Sequence, residues 1–457
     1  MINKISSYFP GHAIGLLLIA QYLGSNGQIL NTGYNHTLFL QLLVSFISLL
    51  FAYTVNREKS IKIMILILLY TLLSVGHYLM VLDINGGEFN IGNLYYYLKF
   101  GFYSFVFFLV FFYFKSHNFL TTIKYLKFIV IVLFSELLIY SLFKYLSVPY
   151  ATLFESVDGR FAGVFLYHNT LVTLFALFVI SYALFFDSSR WKYIFLVVGF
   201  LLILSSGERS SLIGLLFLIT TYILFWSKDT KEFKKRIYAL VIIAIFFLFF
   251  VVAYTLYFRG MSLESYEMFF RPLIARIYFS YLSIVHVFDQ SLFGFGPFSY
   301  LLPTNISDMY SQEVSEFVKI IDNLFGSNEA KYINSYHDSG NLTGPSSSIN
   351  SHNTFLLMFY YFGLVSIFVY TYLAYLIFVY VKYLRLNLKA IKRRITFINN
   401  RLLTRFDEKF CLLPIVSVVF LIASIPALFL LSLDNYLLLI VIALGYIGSF
   451  LNGKSYA

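Results

Sequence analysis

The sequence predicts an all-α polytopic membrane protein of about 12 transmembrane helices, and three observations predict it. First, the 457 residues are 60% hydrophobic and only 12% charged, where a soluble chain carries about a quarter charged residues. Mean hydropathy is +0.79. Second, the apolar residues fall in unbroken runs of about 15–25 rather than alternating. Backbone in lipid must bond to itself, so the choice is helices or a closed barrel, and unbroken runs select helices. Third, the basic residues sort to one side of those runs.

Taken in order, the runs place spans at His12–Leu30, Leu38–Val55, Ile61–Leu82, Leu94–Phe114, Phe128–Leu146 and Thr170–Phe186. They continue at Tyr193–Ser205, Ser211–Trp226, Ile237–Tyr257, Asn353–Val381, Phe410–Leu431 and Tyr436–Phe450. Ile14 to Ala20 is as short as a signal-peptide core. It has only Lys4 before it and no small-residue cleavage site, so it reads as a retained first span. The seventh and eighth runs are short enough for tilted or broken helices. Most of the 54 Phe and 39 Tyr suit lipid-facing bulk and interfacial belts, with a few Tyr free to stack on sugars.

Orientation follows from the loops. With the N-terminus in the cytoplasm, most of the 33 Lys and Arg fall inside. They include Arg57, Lys59, Lys115, the Lys228–Arg236 cluster and the 382–409 loop. Both termini are then cytoplasmic. The formal charge of +11 is explained by that sorting, and nucleic acid is excluded as a partner. The basic 382–409 loop reads as a topology anchor beside anionic lipid. The single cysteine, Cys411, rules out an internal disulfide and a cysteine metal cluster. The chain reads as one integral membrane domain over 1–457, with no repeat of fixed period.

The long polar stretch lies between the ninth and tenth spans, at 258–352, on the outer side. Within it Asp308–Phe325 has apolar Val314, Phe317, Ile321 and Phe325 at helical spacing, predicting an amphipathic helix on the membrane surface or over a cavity. Ser327–Ser351, rich in Ser, Asn and Gly, reads as a loop.

Five arginines break the inside rule: Arg160, Arg209, Arg259, Arg271 and Arg276. Arginine near lipid is costly and its planar fork suits phosphate oxygens, so five from four outward segments read as parts of one anion site. The bland alternative pairs Arg160 with Asp158 and Arg209 with Glu208, or leaves each at a headgroup. Among histidines, His352 stands where the long loop enters the tenth span, followed by Asn353; a partly shielded imidazole there suits a general base. His337 in the loop and His168, before Asn169, are the other candidates; His77 and His286 read as packed.

The outer loops show no Asp-x-Asp and no His-x-x-x-His, so no metal site and no cofactor is read. A nucleophile elbow is missing, and nothing singles out Glu155 and Asp158 as a glycosidase pair. One reaction needs little beyond a base and several arginines: displacement of pyrophosphate from a sugar. Preorganised guanidinium groups stabilise the leaving group while the base takes a hydroxyl proton.

Several blocks together resemble the O-antigen polymerase and O-antigen ligase superfamily. They are Arg160-Phe-Ala-Gly163 before His168-Asn169, Ser206-Gly-Glu-Arg209-Ser, Arg276 ahead of Gly294-Phe-Gly296-Pro297, and His352-Asn353-Thr-Phe355-Leu356 with Phe362-Gly363-Leu364. The resemblance runs from about Arg160 to Tyr370. It implies a GT-C-class glycosyltransferase fold in the bacterial inner membrane, metal-independent, with its active site on the periplasmic face. It implies a donor of undecaprenyl-pyrophosphate-linked oligosaccharide, a place among membrane lipid, and a chain-length regulator protein as partner. Arg160, Arg209, Arg271 and Arg276 then bind pyrophosphate and His352 is the base; Arg271 and Arg276 both fit the position at the start of the loop. Polymerases are the more numerous and diverse branch, so the chain is expected to be a polymerase ahead of a ligase. A transporter or flippase for a lipid-linked sugar would carry midplane charges and repeat symmetry. Glu136 is the one clear mid-span charge and no repeat is visible.

Overall fold

The structure is a computed structural model that describes residues 2–24, 35–85, 94–155, 160–166, 169–186, 191–225, 354–400, 414–430 and 437–454. It also describes the scattered positions 235, 238, 242, 292–294, 296, 318–320 and 322–323. These residues form helices α1 (Ile2–Gly24), α2 (Asn35–Val55), α3 (Arg57–Asn85), α4 (Leu94–Tyr113), α5 (Ser116–Tyr145) and α6 (Asn169–Phe186). The order continues with α7 (Trp191–Ser206), α8 (Arg209–Phe225), α9 (Thr354–Phe362), α10 (Leu364–Asn400), α11 (Pro414–Leu430) and α12 (Leu438–Lys454). Among the described residues there is no strand, only an isolated bridge between Glu155 and Phe161.

The protein is an all-α membrane protein. Segments 57–83, 117–145 and 364–383 are long and apolar enough to cross a bilayer, and shorter apolar helices accompany them, among them Asn169–Phe185 and Trp191–Ser206. Large apolar side chains such as Phe46, Leu72, Leu73 and Phe368 point outward, Leu73 being 73% exposed. That much exposed apolar surface is untenable in water and natural against lipid tails. Inside, α1 packs between α2 and α5, α6 against α7, α8 against α11, and α12 along α4. The core is aromatic: Phe119 stacks on Tyr446 at 4.4 Å, and Phe178 meets Phe420 at 4.6 Å. Helix backbones come close where small residues allow it. At Gly214 of α8 a Cβ would lie 2.2 Å from the Ala423 carbonyl of α11.

Most spans fall within a few residues of the expected runs, and three differ: the fifth begins at Ser116 rather than Phe128, and two others are more instructive. The first helix lies at Ile2–Gly24 rather than His12–Leu30. The apolar run is too short to span alone, and it gains length backward through Pro10; residues 25–34 lie outside the described residues. The tenth span is broken: α9 ends at Phe362 and α10 begins at Leu364, with Gly363 at φ +53 between them. Helix α10 then runs to Asn400, so 382–400 of the basic segment is helical. Between α2 and α3, Asn56 accepts the Lys59 N–H at 3.0 Å, an N-cap that permits a one-residue connection. The expected Ile237–Tyr257 span lies almost wholly outside the described residues; in the 308–325 stretch, the described residues 318–320 and 322–323 include helical positions.

Candidate functional site: two glycine turns and the Arg160 segment

Helix α5 ends with Leu146 and Val148 donating back to Leu142 and Phe143 at 2.9 Å each. Pro149, which cannot continue an α-helix, opens a 3-10 turn over Pro149–Phe154. The chain then doubles back on itself. Ala162 N–H donates to the Phe154 carbonyl at 2.8 Å, and Phe161 and Ala162 are fully buried. Phe161 rests on the Tyr140 ring at 5.5 Å. Gly163 turns the chain at φ +79, a conformation that costs glycine little. Val164 N–H then donates to Oε2 of Glu136 at 3.1 Å, while Oε1 of the same carboxylate accepts from Tyr22 of α1.

Arg160, at the head of this segment, is half-buried and donates from Nη1 to the Gly207 carbonyl at 3.2 Å. Asn169, the first residue of α6, donates to the adjacent Ser206 carbonyl at 3.0 Å. Those carbonyls are the ends of α7, which a helix leaves without internal donors and which attract cations. Gly207 turns the chain at φ +62, Ser210 donates to Glu208 at 3.0 Å, and Arg209 opens α8. Ser211 then ties α8 to α6 by donating to the Thr173 hydroxyl at 2.6 Å. The segment from Arg160 and the turn leading to Arg209 are thereby joined.

A second glycine turn is built differently. Leu364 N–H donates to the Leu292 carbonyl at 2.8 Å, and Gly296 N–H to the Tyr361 carbonyl at 2.9 Å. Gly294 and Gly296 sit at φ +82 and +76. A Cβ on Gly363 would fall 2.1 Å from the Leu292 carbonyl, and one on Gly294 2.6 Å from the Gly363 nitrogen. The turn lodges in the break between α9 and α10, backbone against backbone. His77 of α3 holds its tip. Its Nε2 lies 2.8 Å from the Phe293 carbonyl and its Nδ1 2.6 Å from the Tyr97 hydroxyl. A carbonyl can only accept, so Nε2 carries the proton donated to Phe293. Phe362 closes the group against Phe100 at 5.2 Å.

Residues 194–371, which take in most of α7, the Arg209 turn, the Leu292–Gly296 turn and the α9–α10 break, match the family model described as O-antigen ligase. This match supports a place in the O-antigen ligase and polymerase superfamily for that stretch. No curated protein and no solved structure matches the chain.

Members of this superfamily are glycosyltransferase-like enzymes. Of the residues expected to serve that chemistry, Arg160, Gly294 and Gly296 lie within the described structure, and Arg209 is placed as the first residue of α8. Arg160 and the Arg209 turn are brought together; Gly294 and Gly296 are brought onto Gly363. Arg259, Arg271, Arg276, His168, His337, His352 and Asn353 lie outside the described residues. The Glu208 carboxylate, the bland partner expected for Arg209, accepts from Ser210, and the Arg209 side chain lies outside what the structure describes.

Sequence reasoning passed over two residues that the structure puts at the turns. His77 read as merely packed, yet it is the donor that holds Phe293. Glu136 was visible as a mid-span charge without a role, and the structure supplies the role in Val164 and Tyr22. The signal available for both was the same: a polar group inside an apolar helix, which is seldom idle.

Proposed function

We propose that the protein is an O-antigen (surface polysaccharide) polymerase of GT-C-class fold with about twelve spans. It lies in a bacterial inner membrane with both termini cytoplasmic and acts at the periplasmic face. The donor is a glycan on undecaprenyl pyrophosphate, and the acceptor is a hydroxyl of an incoming lipid-linked repeat unit. The acceptor oxygen bonds to the anomeric carbon as that carbon's bond to the phosphate oxygen breaks. The leaving pyrophosphate departs with the electron pair, and His352 takes the hydroxyl proton.

The observation that carries this reading is the seating of Arg160 on the Gly207 carbonyl, two residues before Arg209 opens α8. One guanidinium is held in place at the start of a helix, where backbone N–H groups and the helix dipole favour an anion. Arg271 and Arg276 complete the anion site in this reading, and Arg259 borders it. Such fixed donors stabilise developing phosphate charge without a metal ion or a general acid. Membrane lipid surrounds the isoprenoid tail, and a chain-length regulator protein is the expected partner.

The test is the glycan ladder made by cells whose own copy is deleted. Arg160→Ala and His352→Ala should each lower polymer formation by about 10²–10³-fold while the protein still inserts. A normal ladder from Arg160→Ala would overturn the reading of the site, and activity lost to EDTA and restored by magnesium would overturn its metal-independence. The description of the matched family favours a second reading, a ligase that transfers the glycan to lipid A-core. Single repeats on lipid A-core in the deletion strain mark a missing polymerase; bare core with long lipid-linked chains marks a missing ligase.

A further inference from the structure

We infer that Glu136, deep in the bundle, is a positioning residue that holds the Arg160 segment in place for pyrophosphate, an inference that rests on the reading of Arg160 given above. The carboxylate lies in the middle of apolar helix α5 and is buried. A carboxylate in such a place is costly to keep and is retained where it has work to do. Its two oxygens are divided between two elements: Oε1 accepts from Tyr22 of α1, and Oε2 accepts the Val164 N–H at 3.1 Å. Neither partner is a cation, so the pair is not an ion bridge. The carboxylate serves as a doubly accepting bracket for a backbone.

Three further observations tie that bracket to Arg160. Gly163 presses so close that a Cβ there would lie 2.6 Å from Oε2 and 3.0 Å from Leu133 Cδ2. Its φ of +79 is the conformation that lets the next N–H point down at the carboxylate. Between Gly163 and Arg160 stand only Phe161 and Ala162, both fully buried, with Ala162 bonded back to Phe154. The segment is therefore gripped at one end by Glu136 and at the other by the Arg160 contact with Gly207. Freeing the first grip loosens the segment that carries the guanidinium.

The test uses the full chain in lipid nanodiscs, with undecaprenyl pyrophosphate as the probe. Glu136→Ala and Gly163→Ala should each weaken its binding about tenfold, the scale of one lost hydrogen bond. Both disrupt one contact, so the double variant should be no weaker than the worse single variant. Glu136→Gln should rescue binding to within about twofold, because its amide oxygen still accepts from Val164 and its amide nitrogen can donate to the Tyr22 oxygen. A Glu136→Gln as damaged as Glu136→Ala, or additive single variants, would overturn the proposal.

A second measurement needs no substrate. With Cys411 replaced by serine and Val164→Cys as the label site, maleimide should react about tenfold faster once Glu136→Ala is added, the mark of local opening. Unchanged labelling overturns the inference whatever happens to binding. Arg160→Ala separates the two ideas: if it binds the probe normally, the reading of Arg160 falls, while labelling still decides the bracket.

Discussion

The two glycine turns solve the same problem by opposite means. At Gly163 a side chain reaches up from a membrane helix and takes one N–H, so the contact is between a backbone and a carboxylate with some freedom to move. At Gly294 the chain is held by other backbone: Leu292 and Gly296 pair with Leu364 and Tyr361, and Gly363 lies directly beneath. The first arrangement is adjustable and the second is not. A substitution at the first meets a carboxylate that can swing, whereas one at the second meets atoms that cannot yield without moving two helices.

The largest effect should come from Gly363→Ala, whose new methyl would collide with the Leu292 carbonyl 2.1 Å away at φ +53. We expect a loss of about 3 kcal/mol or more in thermal unfolding measured in detergent, together with loss of glycan transfer. Gly163→Ala should cost about 1–2 kcal/mol, since it adds left-handed strain but meets a movable group; an equal loss at both glycines would erase the distinction drawn here. His77→Phe keeps a ring against Phe362 and removes the donor to the Phe293 carbonyl. It should cost about 1 kcal/mol, because that turn's backbone pairing survives. A collapse on the scale of Gly363→Ala would show that the imidazole, not the backbone, holds the turn. Ser211→Ala removes a buried bond to Thr173 that belongs to neither turn. It should lower stability by about 1 kcal/mol in the same unfolding measurement. Lys62→Ala breaks a solvent-exposed pair with Glu58 on α3, and its unfolding midpoint should match the parent protein.

The helices were legible because lipid permits few alternatives. A long apolar run has to become a helix, and only its ends are open to error. Where an end was misplaced, as at α1, the run itself was too short to decide between its two flanks. The break at Gly363 was legible only as a glycine; the reason for it lies 71 residues earlier, at the Leu292 carbonyl. Glu136 meets Val164 across 28 residues and Tyr22 across 114, and His77 meets Phe293 across 216. No local period carries pairings of that length. Residue type announced that Glu136, His77 and Arg160 needed partners, and the fold alone chose them.

The α9–α10 break has a mechanical meaning as well. A straight helix from Thr354 onward would set its own direction, but here a foreign turn is lodged in the joint, like a wedge in a hinged rod. The angle of the nine-residue upper rod is thus dictated by the Leu292–Gly296 turn. In sequence, His352 comes two positions before Thr354, the first residue of that rod. The Leu292–Gly296 turn and helix α9 are therefore geared to one another, so a pull on either is felt at the other.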